Sequence, residues 1–476
     1  MRVALVNPPS SFEQLYGEWD LSALDTYCPP LGILYISSFL RQHGHEVFLV
    51  DIASLKLTEN ESIEFIFSLD PDVVGLSSMT INVSNANKIA EKIKCRNPAI
   101  PVVIGGPHLT AAPIETLSKY GSIDFGVIGE GEETFLALIQ AIDKDKAYSS
   151  VRGIIWRDKD ENLIVNPARP LIEDLDSLPF PAWDLLSNFP DAYPHNALET
   201  KRLPAASIIT SRGCPHQCTF CDRSVFGSKV RHHSAAYTIE MIEHLKEQYG
   251  IRDLMILDDN FLLNREKLFE ICDVIIKECL DLSWYCLGHV RHMTDDRLQR
   301  IREAGCWIME VGIESGSQGI LDFLKRNTPK ELIAEAITKA KNAGIRVKGN
   351  FIFGLPNETK DTLEETIKFA QSLDLSFFQQ TFLTVWPGCE LAASIENYGH
   401  VERNWEKIGH FQISFVPLGL SKTDLLDASK RAFRKFYLRP KIILGMVFSL
   451  RSFRTMKSLL LGFIIFMRSI LRKQKL

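Results

Sequence analysis

Two successive alternations of apolar runs with amphipathic segments organise this chain. Over residues 1–145 the short runs VALVNP, VFLVD, DVVGLSS, PVVIGG and DFGVIG are separated by segments with apolar positions at helical spacing. Examples of these segments are LGILYISSFLRQHG and EETFLALIQAI. Runs apolar on both faces suit strands covered by helices on each side, so the pattern predicts five strands in a doubly wound parallel sheet. Gly44 reads as a helix stop. Ligands of such sheets sit outside the carboxyl ends of the strands. GLSSMT, GGPHLT and GEGEET all fall at that edge.

Residues 146–200 are rich in Asp and Pro, as in LIEDLDSLPFPAWDLL, and read as a linker. A second alternation then fills residues 201–400, with expected strands ASIIT, DLMILDD, SWYCLGH, IMEVGIE, VKGNFIFG and SFFQQTFLT. Six strand–helix units are too few for a closed eight-unit barrel, so an α/β partial (β/α)6 barrel is expected, with its chemistry on the loops after the strands. Residues 401–476 are expected to be a helical, basic and apolar region.

Composition changes this picture at two places. No acidic residue follows Asp427, whereas 13 Lys and Arg lie beyond it, and the rest of the chain carries 41 basic against 59 acidic side chains. The tail contains the nine-residue apolar run LLLGFIIFM, too short for the roughly 20 residues a membrane span needs. Cations beside Leu, Ile and Phe fit a peripheral helix on an anionic membrane, or a pair of helices packed on the barrel. The start, MRVALVNPPS, shows no signal peptide, and a cytoplasmic, reducing setting is expected. Nothing in the charge pattern points to nucleic acid.

The second place is SRGCPHQCTFCD, residues 211–222, which sets Cys214, Cys218 and Cys221 directly after the first barrel strand. Cys28, Cys95, Cys272, Cys279, Cys286, Cys306 and Cys389 are scattered and read as small core residues. Zinc would need a fourth ligand, for which His216, His232 or His233 would have to serve. An iron–sulfur cube held by three thiolates would leave one iron open to an exogenous ligand.

CxxxCxxC in this position, with Phe220 before the third cysteine, resembles the radical S-adenosylmethionine (SAM) superfamily. LDDNF at 257–261, VGIESGS at 311–317 and GNFIFGLPNET at 349–359 are similar to further motifs of that superfamily. The resemblance implies a 4Fe–4S cluster on the three cysteines, with SAM chelating the open iron and being cleaved reductively to a 5′-deoxyadenosyl radical. It places Phe220, Asp258, Glu314, Ser315, Gly349 and Gly354 around SAM, the two glycines by close backbone approach to the adenine. Asp259 shares this reading. His289, Arg291 and His292 read as a satisfied polar rim.

PPLGILYISSFLRQHGHEVFLVD, DVVGLSSMT, VVIGGPHLTAAPIETL and DFGVIGEGEETF resemble the cobalamin-binding domain of B12-dependent radical SAM enzymes. Ser77, Ser78, Gly105, Gly106, Gly129, Glu130 and Gly131 would then border the corrin. Thr134 is expected to cap the following helix, with Glu132 and Glu133 near its positive end. DxHxxG, which supplies a histidine to cobalt in other cobalamin proteins, is absent, and His108 is not assigned to cobalt. The resemblance implies methyl transfer from cobalamin to a substrate carbon radical. Rearrangement without methylation, as in anaerobic porphyrin-ester cyclases, and a non-catalytic corrinoid or metal carrier are the alternatives. The implied partners are a small-molecule or lipid-like substrate and an electron donor such as flavodoxin or ferredoxin.

Overall fold

The computed structural model describes residues 1–10, 27–144, 147–196, 198–409, 411–448 and 456. Its first sheet contains β1 (Arg2–Asn7), β2 (Glu46–Asp51), β3 (Val73–Ser77), β4 (Val102–Gly105) and β5 (Phe125–Val127), all parallel and ordered 2-1-3-4-5. The five strands are the five apolar runs, and helices cover both faces. Val74, Leu76 and Ile104 meet Ile66, Ile89 and Ile93 on one side. Leu5 and Val103 meet Ile33, Leu40 and Phe135 on the other. Reversal of strand order between β1 and β3 opens a crevice at their carboxyl ends.

The domain continues past residue 145. β6 (Ile154–Arg157) and β7 (Leu163–Val165) add to the sheet in antiparallel fashion, so the first part of the expected linker is an edge hairpin. IIWR and LIV flank Asp158–Asn162, a turn-forming pattern that the reading by composition passed over. The remaining linker wraps the junction: Trp183, Leu186 and Tyr193 join the barrel core with Leu31 and Leu34 of α1 (Leu31–Gln42). One helix of the first domain thus belongs to both cores.

The second sheet contains β8 (Ala205–Ile208), β11 (Asp253–Ile256), β12 (Ser283–Gly288), β13 (Cys306–Glu314), β14 (Arg346–Phe353) and β15 (Phe377–Phe382). They are parallel, neighbour to neighbour in chain order, and form the expected open six-strand barrel. Lys348 reaches Glu199 and Glu310 inside it, and Tyr285 and Asn350 also bond Glu310. This network fills the barrel with mutually satisfied charges.

Residues 401–476 were expected to be helical, yet β16 (Gly399–Val401) and β17 (Phe415–Pro417) form a hairpin first. Trp405 between them reaches back to the first domain and stacks edge-on against His108 at 4.3 Å. A helix at Lys422–Tyr437 buries Leu425, Ala428, Ala432 and Phe436 against the barrel, and a second follows at Pro440–Phe448. LLLGFIIFM lies outside the described residues. No helix among the described residues is long and apolar enough to cross a membrane. Cys272, Cys286, Cys306 and Cys389 are buried as expected, but Cys28, Cys95 and Cys279 are exposed.

Candidate functional site

The cysteine loop is pinched at its neck. β9 (Ser211–Arg212) pairs antiparallel with β10 (Arg231–His232), closing off residues 213–230 above β8. Gly213 stands at the neck with φ +98°, and a Cβ there would lie 2.5 Å from the Lys229 carbonyl oxygen, so no other residue fits without displacement. Cys218 is buried, Cys214 half-buried and Cys221 exposed. A hydrogen bond from Cys221, assisted by the Arg326 guanidinium, draws the Cys218 thiol well below its usual range against the effect of burial. Arg326 donates from Nη1 to Cys218 Sγ at 3.5 Å and from Nη2 to the Gly312 carbonyl at 2.5 Å. Its side chain is 9% exposed, so a cation is built into the wall of the thiol site.

Glu314 faces the same place. The β13–β14 register shifts between Gly312 and Glu314, and Glu314 takes φ +67°, a left-handed conformation rare outside glycine. Its carboxylate folds back over Gly312, where a Cβ would meet Oε1 at 2.3 Å, and lies 3.7 Å from Arg326. Burial pushes this carboxyl up to about 7, opposed by Arg326. The strained backbone thus aims the carboxylate toward the thiols and Arg326.

Four residues expected around SAM also have partners within the chain. Asp258 is 1% exposed and accepts three hydrogen bonds of 2.6 Å, from the Thr210 amide, Thr210 Oγ1 and Ser211 Oγ. It therefore ties β11 to the neck of the cysteine loop. Asp259 alone of the pair is exposed. The Ser315 hydroxyl is buried, bonding Thr366 Oγ1 and the Ser317 amide. Gly349 presses on Ile313 and Leu375, and Gly354 at φ +80° packs on Leu425 with its amide bonded to Glu358. Gly349 thus packs against the neighbouring strand β13 and the loop before β15, and Gly354 against the helix Lys422–Tyr437. Phe220 packs beside Ile320 and Leu324 under the loop. Replacing Asp258 with Ala leaves three buried donors unmatched and is expected to cost about 3 kcal/mol. In anaerobically reconstituted protein, iron per chain should fall with it, while Asp258→Asn keeps part of both.

His216, His289 and His292 converge on the rim, with candidate ligand atoms within 4.8 Å of one another. Their Nε2 atoms have no protein partner, so the rim is not the satisfied one expected. The His216 and His289 rings stack at 4.0 Å with planes 13° apart. Imidazole binds a metal through an in-plane lone pair, so two parallel stacked rings cannot address one ion. Burial lowers His289 to about 2, leaving it neutral at ordinary pH. His233 instead bonds Asp176 at 3.1 Å. Among the described residues no cysteine belongs to a group with single-ion spacing.

A cavity of about 1170 Å³ opens at the strand-order reversal of the first sheet. Asn7, Ser77, Gly105, Gly106, Gly129, Glu130 and Gly131 line it from one domain, and Ile209, Arg212, Val225 and Phe226 from the barrel. Gly129 has φ +82° and open space where a Cβ would point. Gly106 is held by its own chain: at φ +102° a Cβ would meet the Ser78 carbonyl oxygen at 2.6 Å. Ser78 is absent from the lining; it is buried, and its hydroxyl donates to the Gly105 carbonyl. Thr134 caps nothing. Residue 130 occupies the cap position of the helix Gly131–Asp143, and Thr134 Oγ1 accepts from Arg169.

Comparison with known proteins matches residues 21–139 to the B12 binding domain and residues 208–370 to the radical SAM superfamily. An uncharacterized methyltransferase of Pyrococcus horikoshii, PH0819, is 33% identical over 457 residues, covering 95% of this chain and 96% of that protein. The chain belongs to the B12-binding radical SAM family. An anaerobic magnesium-protoporphyrin IX monomethyl ester cyclase of Rubrivivax gelatinosus is 30% identical, covering 92% of this chain and 78% of its own. Among solved structures, the radical SAM methyltransferase TsrM of Kitasatospora setae, with cobalamin and a 4Fe–4S cluster bound, shares the fold. It superimposes with a TM-score of 0.72 at 17% identity, over 98% of this chain and 99% of that one.

The residues of this family member fit the three groups its family implies. Three thiols on one loop beside a buried cation suit a cluster, Glu314 and Arg326 are set to meet an amino acid's charged ends, and the small-residue cavity has room for a corrin. Arg212, Arg326 and Gly312 were missed in the sequence. Arg326 follows GS-containing VGIESGS by nine residues, too far for local pattern to reveal that it returns to Cys218.

Proposed function

We propose that this chain is a cobalamin-dependent radical SAM methyltransferase acting on a small-molecule substrate. The observation that carries this is that the cavity of the first domain is walled partly by the barrel, at Ile209, Arg212, Val225 and Phe226, next to the cysteine loop. Bound there, the cluster with SAM supplies a hydrogen-abstracting radical, and cobalamin supplies a methyl group. Cys214, Cys218 and Cys221 hold the cluster. Glu314 and Arg326 orient SAM through its amino and carboxylate groups. Ser77, Gly105, Gly129 and Gly131 leave space for the corrin face. The protein keeps water and stray hydrogens away, because a primary alkyl radical reacts with whatever lies nearest.

Incubating loaded protein anaerobically with cell extract, reductant and methyl-deuterated SAM should yield labelled small molecules. Products that are altered but unlabelled would favour the rearranging outcome, which the 30% identical cyclase supports. The reading includes a flavodoxin- or ferredoxin-type electron donor.

It also includes peripheral contact of the tail with an anionic membrane. The helix Lys422–Tyr437 spends its apolar face on the barrel, but Leu438, Ile443 and Leu444 are exposed beside Arg439 and Lys441. Full-length protein should sediment with anionic liposomes more than a chain ending at Tyr437, which keeps the barrel-packed helix; equal pelleting removes this contact.

A further inference from the structure

We infer that Arg212 and Arg231 are positioning residues that lock the corrin-facing loop 129–132 to the cysteine loop through Glu130 and Glu132. The relative placement of the two cofactor sites is then set by buried ion pairs, which also engage the wrapping segment between the domains at Ile172. Arg212 donates from Nη1 to Glu130 at 2.8 Å and from Nη2 to Glu132 at 2.6 Å. Arg231 donates from Nη1 to Glu130 Oε2 at 2.8 Å and to the Ile172 carbonyl at 2.6 Å, while the Ile172 amide donates to Glu130. All four charged side chains are 5% exposed or less.

Stability alone is a weak reason for such a cluster. Desolvating buried charges cancels much of their attraction, and apolar residues of similar volume would serve as well. Arg231 even keeps Nε and Nη2 buried without a protein partner. The cluster's value lies in its placement. Arg212 and Arg231 face each other across the β9–β10 pair that closes the cysteine loop, and Arg212 is two residues from Cys214. Glu130 and Glu132 sit at the start of the helix Gly131–Asp143, where the backbone dipole favours acids and the preceding loop lines the cavity. The Arg212 guanidinium also lies over the rings of Tyr35 and Phe226, at 5.2 and 5.4 Å, so two aromatic faces help to hold it. A forked guanidinium bridging two carboxylates fixes distance and angle together, which a lysine cannot do.

This inference rests on the two-cofactor reading above, and its test separates the two. Full-length wild type, Arg212→Gln, Arg212→Lys and Glu132→Gln would be reconstituted with iron and sulfide and loaded with hydroxocobalamin. Hydrogen exchange at residues 129–136 should quicken by roughly tenfold in Arg212→Gln, less in Arg212→Lys and Glu132→Gln. Pulsed electron paramagnetic resonance between reduced cobalt and reduced cluster should show a broadened distance distribution in the same order. A purely structural role would lower the melting temperature and leave that distance unchanged. Exchange within about twofold of wild type in the Arg212 variants, with the distance unaltered, overturns the inference. If Arg212→Gln fails to fold, Glu132→Gln decides, because it leaves the bonds of both arginines to Glu130 in place. A wild-type protein that retains no corrinoid would sink the two-cofactor reading, while exchange at 129–136 would still judge the clamp.

Discussion

Cys218→Ala should reduce reductive SAM cleavage to less than about one hundredth of the wild-type rate, beyond what loss of a supporting contact around a metal site costs. Cys218 is the most buried of the three thiols, is paired with Cys221 and receives Arg326, so its removal breaks the site at its centre. The measurement is anaerobic formation of 5′-deoxyadenosine under a strong reductant, alongside iron content. Cys279→Ala, at an exposed thiol far along the barrel helices, should leave both at wild-type values. Cleavage at an equal rate in wild type and Cys218→Ala would remove the cluster assignment and the radical chemistry with it.

Gly106→Val should abolish corrinoid retention. Two penalties combine: φ of +102° is hostile to a branched side chain, and the new Cβ would be driven into the Ser78 backbone at 2.6 and 3.0 Å. Together they amount to roughly 3 kcal/mol or more, released only by separating the β3 and β4 loops that form one wall of the cavity. Gly44→Val makes the comparison, because Gly44 is also left-handed but has nothing within 4 Å of its Cβ. It should lower the melting temperature yet retain corrinoid, as judged by the visible spectrum of the purified protein. Equal corrinoid loss in both variants would mean that general destabilisation, and not the wall, is responsible.

Much of the fold was readable because buried parallel strands declare themselves as apolar runs with small residues at their ends. All eleven such runs became strands, each parallel to its neighbours among them, in two sheets. The hairpin β6–β7 was missed where composition outweighed pattern, since Asp158–Asn162 looked like linker and acts as a turn. The SAM contacts divided by the same logic. Cys214, Cys218 and Cys221 form one local cluster, so spacing alone located them. Asp258, Ser315, Gly349 and Gly354 were picked from motif strings, and the structure adds that their side chains or missing Cβ atoms also meet partners within the chain. A string shows which residue occurs after a strand, but pleat and register decide which way it points.

By itself the sequence determined the strand order of events: two α/β domains, a three-thiol loop after the first barrel strand, and small residues where a bulky ligand would lie. These are local properties of period, turn chemistry and spacing. Only the tertiary structure decided that Arg326 returns to Cys218, that a register shift turns Glu314 toward the same site, and that Glu130 and Glu132 meet Arg212 and Arg231 across the domain boundary. Those pairings join residues 80 to 108 positions apart. Charges so distant in sequence carry no mutual signal until packing removes the water between them.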